Sequence, residues 1–332
     1  MKNIKYSIIV PVFNEEEVIQ QTYQRLITVM DSADAPYELL FINDGSKDRT
    51  EEILIEIGIT DARVKLINFS RNFGHQVAIS AGMDYAQGEA VIIIDADLQD
   101  PPELILDMIE KWMEGYDVVY AKRLSRKGES FFKKKSASLF YRTLRSMTDI
   151  DIPLDTGDFR LMDRKVVQQM NGLREKNRFV RGMASWVGFR QTAIEYERDE
   201  RAAGETKYPL KRMLKLSMDG ITSFSYKPLK LATYAGGLLA ITGLIYMLYV
   251  FYLKIFTEAT VPGWSSLIII QLFFSSFVLI LLGVMGEYIG RIYDETKNRP
   301  LYIVRDQYGM DEIKSIRQEP ITLKNNSWKV TK

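Results

Sequence analysis

Cysteine is absent from all 332 residues, and histidine occurs once, at His75. No disulfide framework, thiol nucleophile or cysteine-based zinc site can be built, and a histidine-rich metal cluster is excluded. An excess of one charge is equally lacking. Lys and Arg number 44 against 43 Asp and Glu, a net +1 that gives no global reason to expect nucleic acid. No Gly-x-Gly-x-x-Gly follows the first apolar run and no Gly-x-x-x-x-Gly-Lys occurs, which disfavours a nicotinamide dehydrogenase and a P-loop enzyme. Residues 1–6 lack the charged-then-apolar pattern of a signal peptide, so the N-terminal part is expected to stay on the side where it is made.

Long uncharged runs, by contrast, are present twice. Residues 231–253 and 261–286 contain no charged side chain. A helix rising about 1.5 Å per residue crosses a hydrocarbon core of about 30 Å in roughly 20 residues, so each run predicts a spanning helix. Between them only Lys254 and Glu258 are charged, whereas Lys207, Lys211, Arg212, Lys215, Lys227 and Lys230 precede the first run and Arg291, Lys297 and Arg299 follow the second. The positive-inside rule then places both flanks in the cytoplasm. Upstream, Leu210, Met213, Leu214, Met218 and Ile221 recur at helical spacing beside Lys211, Arg212 and Lys215. That pattern suits a basic amphipathic helix in the headgroup region, or else a core-packing helix with a solvated basic face. Phe131 to Lys135 reads as a second surface contact of the same kind.

The first half alternates apolar β-branched runs with helical patterns. Strands are expected at 6–13, 38–42, 64–69, 91–94 and 117–121, with helices through 30 and over 48–57, 74–86 and 104–112. This order predicts a doubly wound α/β sheet. The run at 91–94 is apolar throughout, as in a strand buried on both faces, and gives way to Asp95-Ala96-Asp97-Leu98-Gln99-Asp100-Pro101-Pro102-Glu103. Ligands of such sheets bind beyond the carboxyl ends of the strands. Two carboxylates there repel unless a hard cation shared with substrate phosphates lies near, although a solvated turn and helix cap would also use them. Asn14 and Glu15, and Asp44 and Ser46, follow other strands and would share that edge.

Val10-Pro11-Val12-Phe13-Asn14-Glu15, Asn43-Asp44-Gly45-Ser46 and the acidic stretch from Asp95 to Glu103 together closely resemble the GT-A glycosyltransferases of family 2, and within them the polyprenyl-phosphate glycosyltransferases. The resemblance covers nearly the whole chain, because bacterial members carry a two-helix membrane hairpin after the catalytic domain. It implies a GT-A, Rossmann-like, mostly parallel sheet over 1–207, an interfacial amphipathic region at 208–228, a transmembrane hairpin at 229–290 with helices near 231–253 and 263–286, and a cytoplasmic tail at 291–332. By the same resemblance Pro11, Val12, Phe13, Glu15, Asp44, Ser46 and Asp95 would hold the nucleotide. Asp95, Asp97 and Gln99 would hold Mg²⁺ or Mn²⁺, with Asp97 and Gln99 the more direct ligands. Asp158 would lie with Asp97 at the reacting centre, and Arg123 would meet the acceptor phosphate. Arg201, Gly204, Thr206 and Lys207 would make further phosphate contacts, threonine standing where serine is commoner.

The reaction so implied is inverting transfer of a sugar from a nucleotide-sugar to a polyprenyl phosphate, undecaprenyl phosphate by preference, on the cytoplasmic membrane face. UDP-glucose or UDP-N-acetylglucosamine leads as donor and GDP-mannose is the alternative. The implied partners are the bilayer, a second copy of the chain, a flippase and a downstream glycosyltransferase of the cell envelope. A lipid phosphate is largely dianionic at neutral pH, its second pKa being about 6, so Asp158 reads more naturally as a positioning group than as a base. A structural aspartate bonded to Arg160 or to a turn is the plain alternative. His75, after Ser70-Arg71-Asn72-Phe73-Gly74, reads as structural or close to the nucleotide. A processive polysaccharide synthase should show Gln-x-x-Arg-Trp and more spanning helices, and a non-catalytic scaffold would not need the three aspartates. Strand character at 301–304 suggests that residues 299–302 add to the sheet of a second protomer.

Overall fold

A computed structural model describes residues 4–124, 153, 156–197, 227–256 and 263–310. The expectations for 131–135, for 208–224 and for Arg201, Gly204, Thr206 and Lys207 lie outside these residues.

Successive side chains of a strand point to opposite faces, and the first strand, β1 (Tyr6–Val12), is apolar on both. Ile8, Val10 and Val12 join one core, Ile9 the other. Both faces must therefore be covered, which helices of parallel crossovers do. β1 pairs in parallel with β2 (Tyr37–Asn43) and β4 (Ala90–Ile93), and β2 with β3 (Val64–Phe69). On one face lie α1 (Ile19–Asp31), α2 (Thr50–Thr60) and α4 (Leu104–Met113), which bury Leu26, Leu54 and Met108. On the other, α3 (His75–Tyr85) buries Ala78 and Ile79 beside Ile9. α5 (Arg164–Gly172) and α6 (Val180–Trp186) complete that layer through Val167, Met170 and Met183.

Two strands run against the rest. β6 (Thr156–Asp163) lies antiparallel between β4 and β5 (Val118–Arg123), while β7 (Gln191–Tyr196) pairs in parallel with β5. The far edge is closed by β8 (Val304–Tyr308), antiparallel to β3, giving the order β7-β5-β6-β4-β1-β2-β3-β8. Reversal of β6 brings its first residues to the edge where β1 to β5 end. Such mixed sheets are expected when an antiparallel strand is inserted into a parallel core.

The tail corrects one expectation. The strand forms at Val304–Tyr308, after residues 299–302, and it pairs within its own chain. Tyr302 is otherwise engaged: its ring stacks on Phe69 with centroids 5.1 Å apart, and its hydroxyl donates to Asp84 Oδ2 at 2.9 Å. Each uncharged run sits in a long helix, α7 (Lys227–Phe256) and α8 (Trp264–Thr296). Leu238, Ile245, Tyr249, Leu279 and Ile280 are exposed on them, and both helices are long and apolar enough to cross a membrane.

Candidate active site

The edge where β4 ends collects the acidic residues. Ile94 N still donates to Ile9 O at 3.1 Å, and then the chain leaves the sheet. Ala96 O accepts from Thr22 Oγ1 at 2.7 Å, Leu98 takes a left-handed φ of 56°, and Gln99 N donates to Asp97 Oδ1 at 3.2 Å. A bulky side chain at positive φ is costly, so this turn is held by its surroundings. Ile93 pairs with Arg160 of antiparallel β6, and continuing that register sets Asp158 beside Asp95. Residues 63 positions apart in the chain thus meet.

Asp158 is buried, at 3% exposure, inside a shell of donors. Arg181 reaches it from α6, Nε to Oδ1 at 2.9 Å and Nη2 to Oδ2 at 3.2 Å, while Nη1 holds Thr156 O at 3.0 Å. Gln76 Nε2 donates to Oδ2 at 2.9 Å, its Oε1 accepting from Val180 N at 2.9 Å. His75 Nε2 lies 3.3 Å from the same Oδ2 and 3.4 Å from Asp95 Oδ1. Burial raises a carboxyl, but the Arg181 and His75 charges and hydrogen bonds outweigh it and hold Asp158 well below the usual range. For His75, burial disfavours the cation, yet Asp95 and Asp158 push its pKa up to about 9. Both carboxylates thus favour the protonated ring, and Asp158 is an anion with its lone pairs largely committed. Arg160 donates to the carbonyls of Gly157 and Asp158 and not to the carboxylate, so the partner of Asp158 is Arg181.

The loops after β1 and β2 are tied to each other. Asp44 N donates to Val12 O at 2.9 Å, Asn14 N to Ser46 Oγ at 3.0 Å, Lys47 N to Asn14 Oδ1 at 2.8 Å and Glu15 N to Thr50 Oγ1 at 2.9 Å. Pro11 and Val12 are buried, the Val12 side chain within the core, so Val12 supports the edge from beneath; Phe13 is half-buried. Asp44 accepts from Phe73 N at 2.6 Å and Gly74 N at 2.9 Å, which joins the loop after β3 to the pair. Burial pushes Asp44 up against those two N–H groups. Gly45 has φ +70°, and a Cβ there would stand 2.7 Å from Arg71 C, so glycine is required.

A model of the glycosyl transferase family 2 matches residues 7–170, and one of the GtrB C-terminal hairpin matches residues 227–292. The uncharacterized glycosyltransferase YkcC of Bacillus subtilis (strain 168) is 69% identical over 96% of this chain and 98% of its own. The chain is a family 2 glycosyltransferase. Two further relatives are each 43% identical: a prophage bactoprenol glucosyl transferase homolog of Escherichia coli (strain K12), over 91% of this chain and 99% of its own, and a bactoprenol glucosyl transferase of Shigella phage SfII, over 92% and 99%. The hairpin match and the two apolar helices make the glycosyltransferase a membrane-associated protein.

Whether the acidic edge of this glycosyltransferase fits a metal is tested by Asp95. Its Oδ1 is buried without a hydrogen bond, and burial together with the neighbouring Asp100, Asp158 and Asp97 raises its pKa to about 6 despite His75. No cluster of three acidic or histidine ligands exists among the described residues. An oxygen-only set with one or two carboxylates suits Mg²⁺ or Mn²⁺ completed by substrate phosphates, so the residues fit the group. Arg123, at the end of β5, donates from Nε to Tyr196 Oη at 3.0 Å and lies 3.5 Å from Asp100 Oδ1 by Nη2. Tyr196 also donates to Asp100. A Cβ on Gly157 would stand 3.0 Å from Arg123 Nη2, so glycine clears that guanidinium's place. A cavity of about 510 Å³ lies elsewhere, between Glu175 and Asn177 and the end of α8, and none of these carboxylates lines it. Arg181, Gln76, Asp100 and Tyr196 escaped the sequence, since each becomes visible only through its partner across the sheet; for His75 the sole hint was its place after the glycine that starts α3.

Proposed function

We propose that this glycosyltransferase moves a hexose, glucose first, from a uridine nucleotide-sugar to undecaprenyl (bactoprenol) phosphate on the cytoplasmic face of the cell membrane, inverting the anomeric centre. The observation that carries the proposal is the meeting of the Asp44, Asp95, Asp97 and Asp158 segments on one sheet edge, in a chain that also holds two bilayer-length helices. The bactoprenol glucosyl transferases, similar to it over 91–92% of this chain, support the choice of lipid and sugar.

In this reading the linked loops carrying Asn14, Glu15, Asp44 and Ser46 hold the nucleotide. Asp95, Asp97 and Gln99 would hold Mg²⁺ or Mn²⁺, which supplies neutralisation of the diphosphate charge when bound. Arg123 faces the acceptor phosphate, with Arg201, Thr206 and Lys207 as further phosphate contacts. Since the attacking lipid phosphate is already mostly dianionic, no base is needed. An aspartate with depressed pKa and three side chains donating to it or facing it is a poor proton acceptor. Its work is to fix Arg181 and His75, whose positive charges favour an anionic acceptor and a developing anionic leaving group. Both ends of the chain and the catalytic domain would face the cytoplasm, a topology that the flanking Lys and Arg support.

The test is a donor panel. Purified protein in bilayers, given undecaprenyl phosphate and UDP-glucose, UDP-N-acetylglucosamine or GDP-mannose in turn, should form a chloroform-extractable sugar lipid from UDP-glucose in preference. Preference for GDP-mannose would replace the donor, and hydrolysis indifferent to added lipid would refute the acceptor.

A further inference from the structure

The segment that leaves the second membrane helix takes no part in the chemistry above, yet it returns to the sheet beside the donor loops. One row of residues crosses four strands: Val12 of β1 faces Asn43, Asn43 faces Asn68, and Asn68 faces Asp306 of β8. The side chains of Asn43, Asn68 and Asp306 are joined in series. Asp306 Oδ1 accepts from Asn68 Nδ2 at 2.6 Å, Asn68 Oδ1 accepts from Asn43 Nδ2 at 2.9 Å, and Asn43 Oδ1 accepts from Ser46 N at 2.9 Å. Ser46 is the residue whose hydroxyl receives Asn14 N, so the series ends inside the pair of donor loops.

Direction matters in this row. An amide can present either its carbonyl or its NH₂ to a neighbour, and a carboxylate can only accept. Asp306 therefore sets Asn68 with its NH₂ toward β8 and its carbonyl toward Asn43, which in turn sets Asn43 with its carbonyl toward the Ser46 N–H. Asn43 and Asn68 are 1% and 0% exposed, so a wrong orientation would leave buried groups unpaired. Glu51 Oε1 also accepts from Asn68 Nδ2, at 3.2 Å, and it is itself paired with Arg305 of β8. Both acceptors that orient Asn68 are thus supplied or held by the post-membrane strand.

We infer that Asp306 is a positioning residue for the nucleotide-sugar: docking of β8 sets the turn at residues 43–47 through Asn68 and Asn43, so the donor site is complete only when the chain beyond the hairpin is in place. This rests on the donor role proposed for that turn. The experiment compares full-length wild type, Asp306→Ala and Asp306→Asn in detergent by UDP calorimetry, by amide hydrogen exchange over 43–47, and by steady-state transfer. Asp306→Ala should weaken UDP binding and raise the donor KM about tenfold, the size of one hydrogen bond lost. Exchange over 43–47 should quicken, while kcat and the lipid KM stay within about twofold. Asp306→Asn, which can still turn a carbonyl toward Asn68, should restore all of these. Unchanged UDP affinity or exchange in Asp306→Ala, failure of the Asn variant to restore them, or an equal fall in kcat would overturn the inference. A wild type that binds no UDP would refute the uridine donor instead, and quickened exchange in Asp306→Ala would then still support the row.

Discussion

Replacing Arg181 with Ala isolates the ion pair that holds Asp158. The guanidinium makes two hydrogen bonds to a carboxylate that is 3% exposed and a third to Thr156 O. Breaking a buried pair from one side costs about 3–5 kcal/mol, chiefly through the charge left behind. Here Gln76 and His75 remain beside Asp158, and the Arg181 side chain is one-quarter exposed, so the lower end, about 3 kcal/mol, applies. For a unit of roughly 200 residues that is a fall in melting temperature of about 6–12 °C. Melting of Arg181→Ala, Asp158→Asn and the double variant at one scan rate makes a thermodynamic cycle. Removing Arg181 once Asp158 is neutral should cost about 2 kcal/mol less than removing it from the wild type. Sugar transfer should fall about a hundredfold in either single variant, matching about 2.7 kcal/mol of lost transition-state stabilisation. If the two temperature drops simply add in the double variant, the ion pair is not what holds Asp158.

Other perturbations separate the remaining parts. Asp97→Ala should abolish transfer while lowering the melting temperature by no more than about 4 °C, because Asp97 is only partly buried and accepts the Gln99 N–H at 3.2 Å without filling the core; retained activity would count against its place in the metal and diphosphate site. Gly45→Ala, forced to φ +70° against the Arg71 backbone, should raise the donor KM and cost about 1–2 kcal/mol of stability, measured by urea or thermal unfolding. Asp61 gives a pH test. Hydrogen bonds from Arg63 outweigh burial and hold its pKa below the ordinary carboxylate value, so its contribution is present above about 4 and disappears as pH falls through the lowered native value. Asp61→Asn should accordingly be less stable than wild type by about 1–2 kcal/mol at pH 7, with the gap narrowing as pH falls below about 4. A gap that stays constant with pH would remove the ionic explanation.

The regular half of the catalytic unit was legible because its strands are buried on both faces, so apolar runs and intervening helical patterns carry the whole signal. β6 was not. In Thr156-Gly157-Asp158-Phe159-Arg160-Leu161-Met162-Asp163 the polar residues that serve the site interrupt the apolar pattern, and only pairing against β4 makes the segment a strand. β8 was displaced for a related reason. Leu301 to Val304 has the stronger strand composition, but Tyr302 is drawn into stacking on Phe69, and the polar Val304-Arg305-Asp306-Gln307-Tyr308 forms the edge instead. Of the site, the acidic residues at the ends of β1, β2 and β4 could be placed in advance, since strand ends share an edge. The donors that hold Asp158 could not, because Gln76 and Arg181 come from α3 and α6 and no local pattern distinguishes them from surface residues.

The most direct measurement follows one labelled sugar. Protein in nanodiscs with undecaprenyl phosphate, Mg²⁺ or Mn²⁺ and UDP-glucose carrying label in the hexose should yield a lipid-soluble glucosyl phosphate of inverted configuration, and none when the cation is chelated or Asp97 is Ala. Label that remains in water whatever lipid is supplied, or lipid product formed equally by the Asp97 variant, would contradict the account.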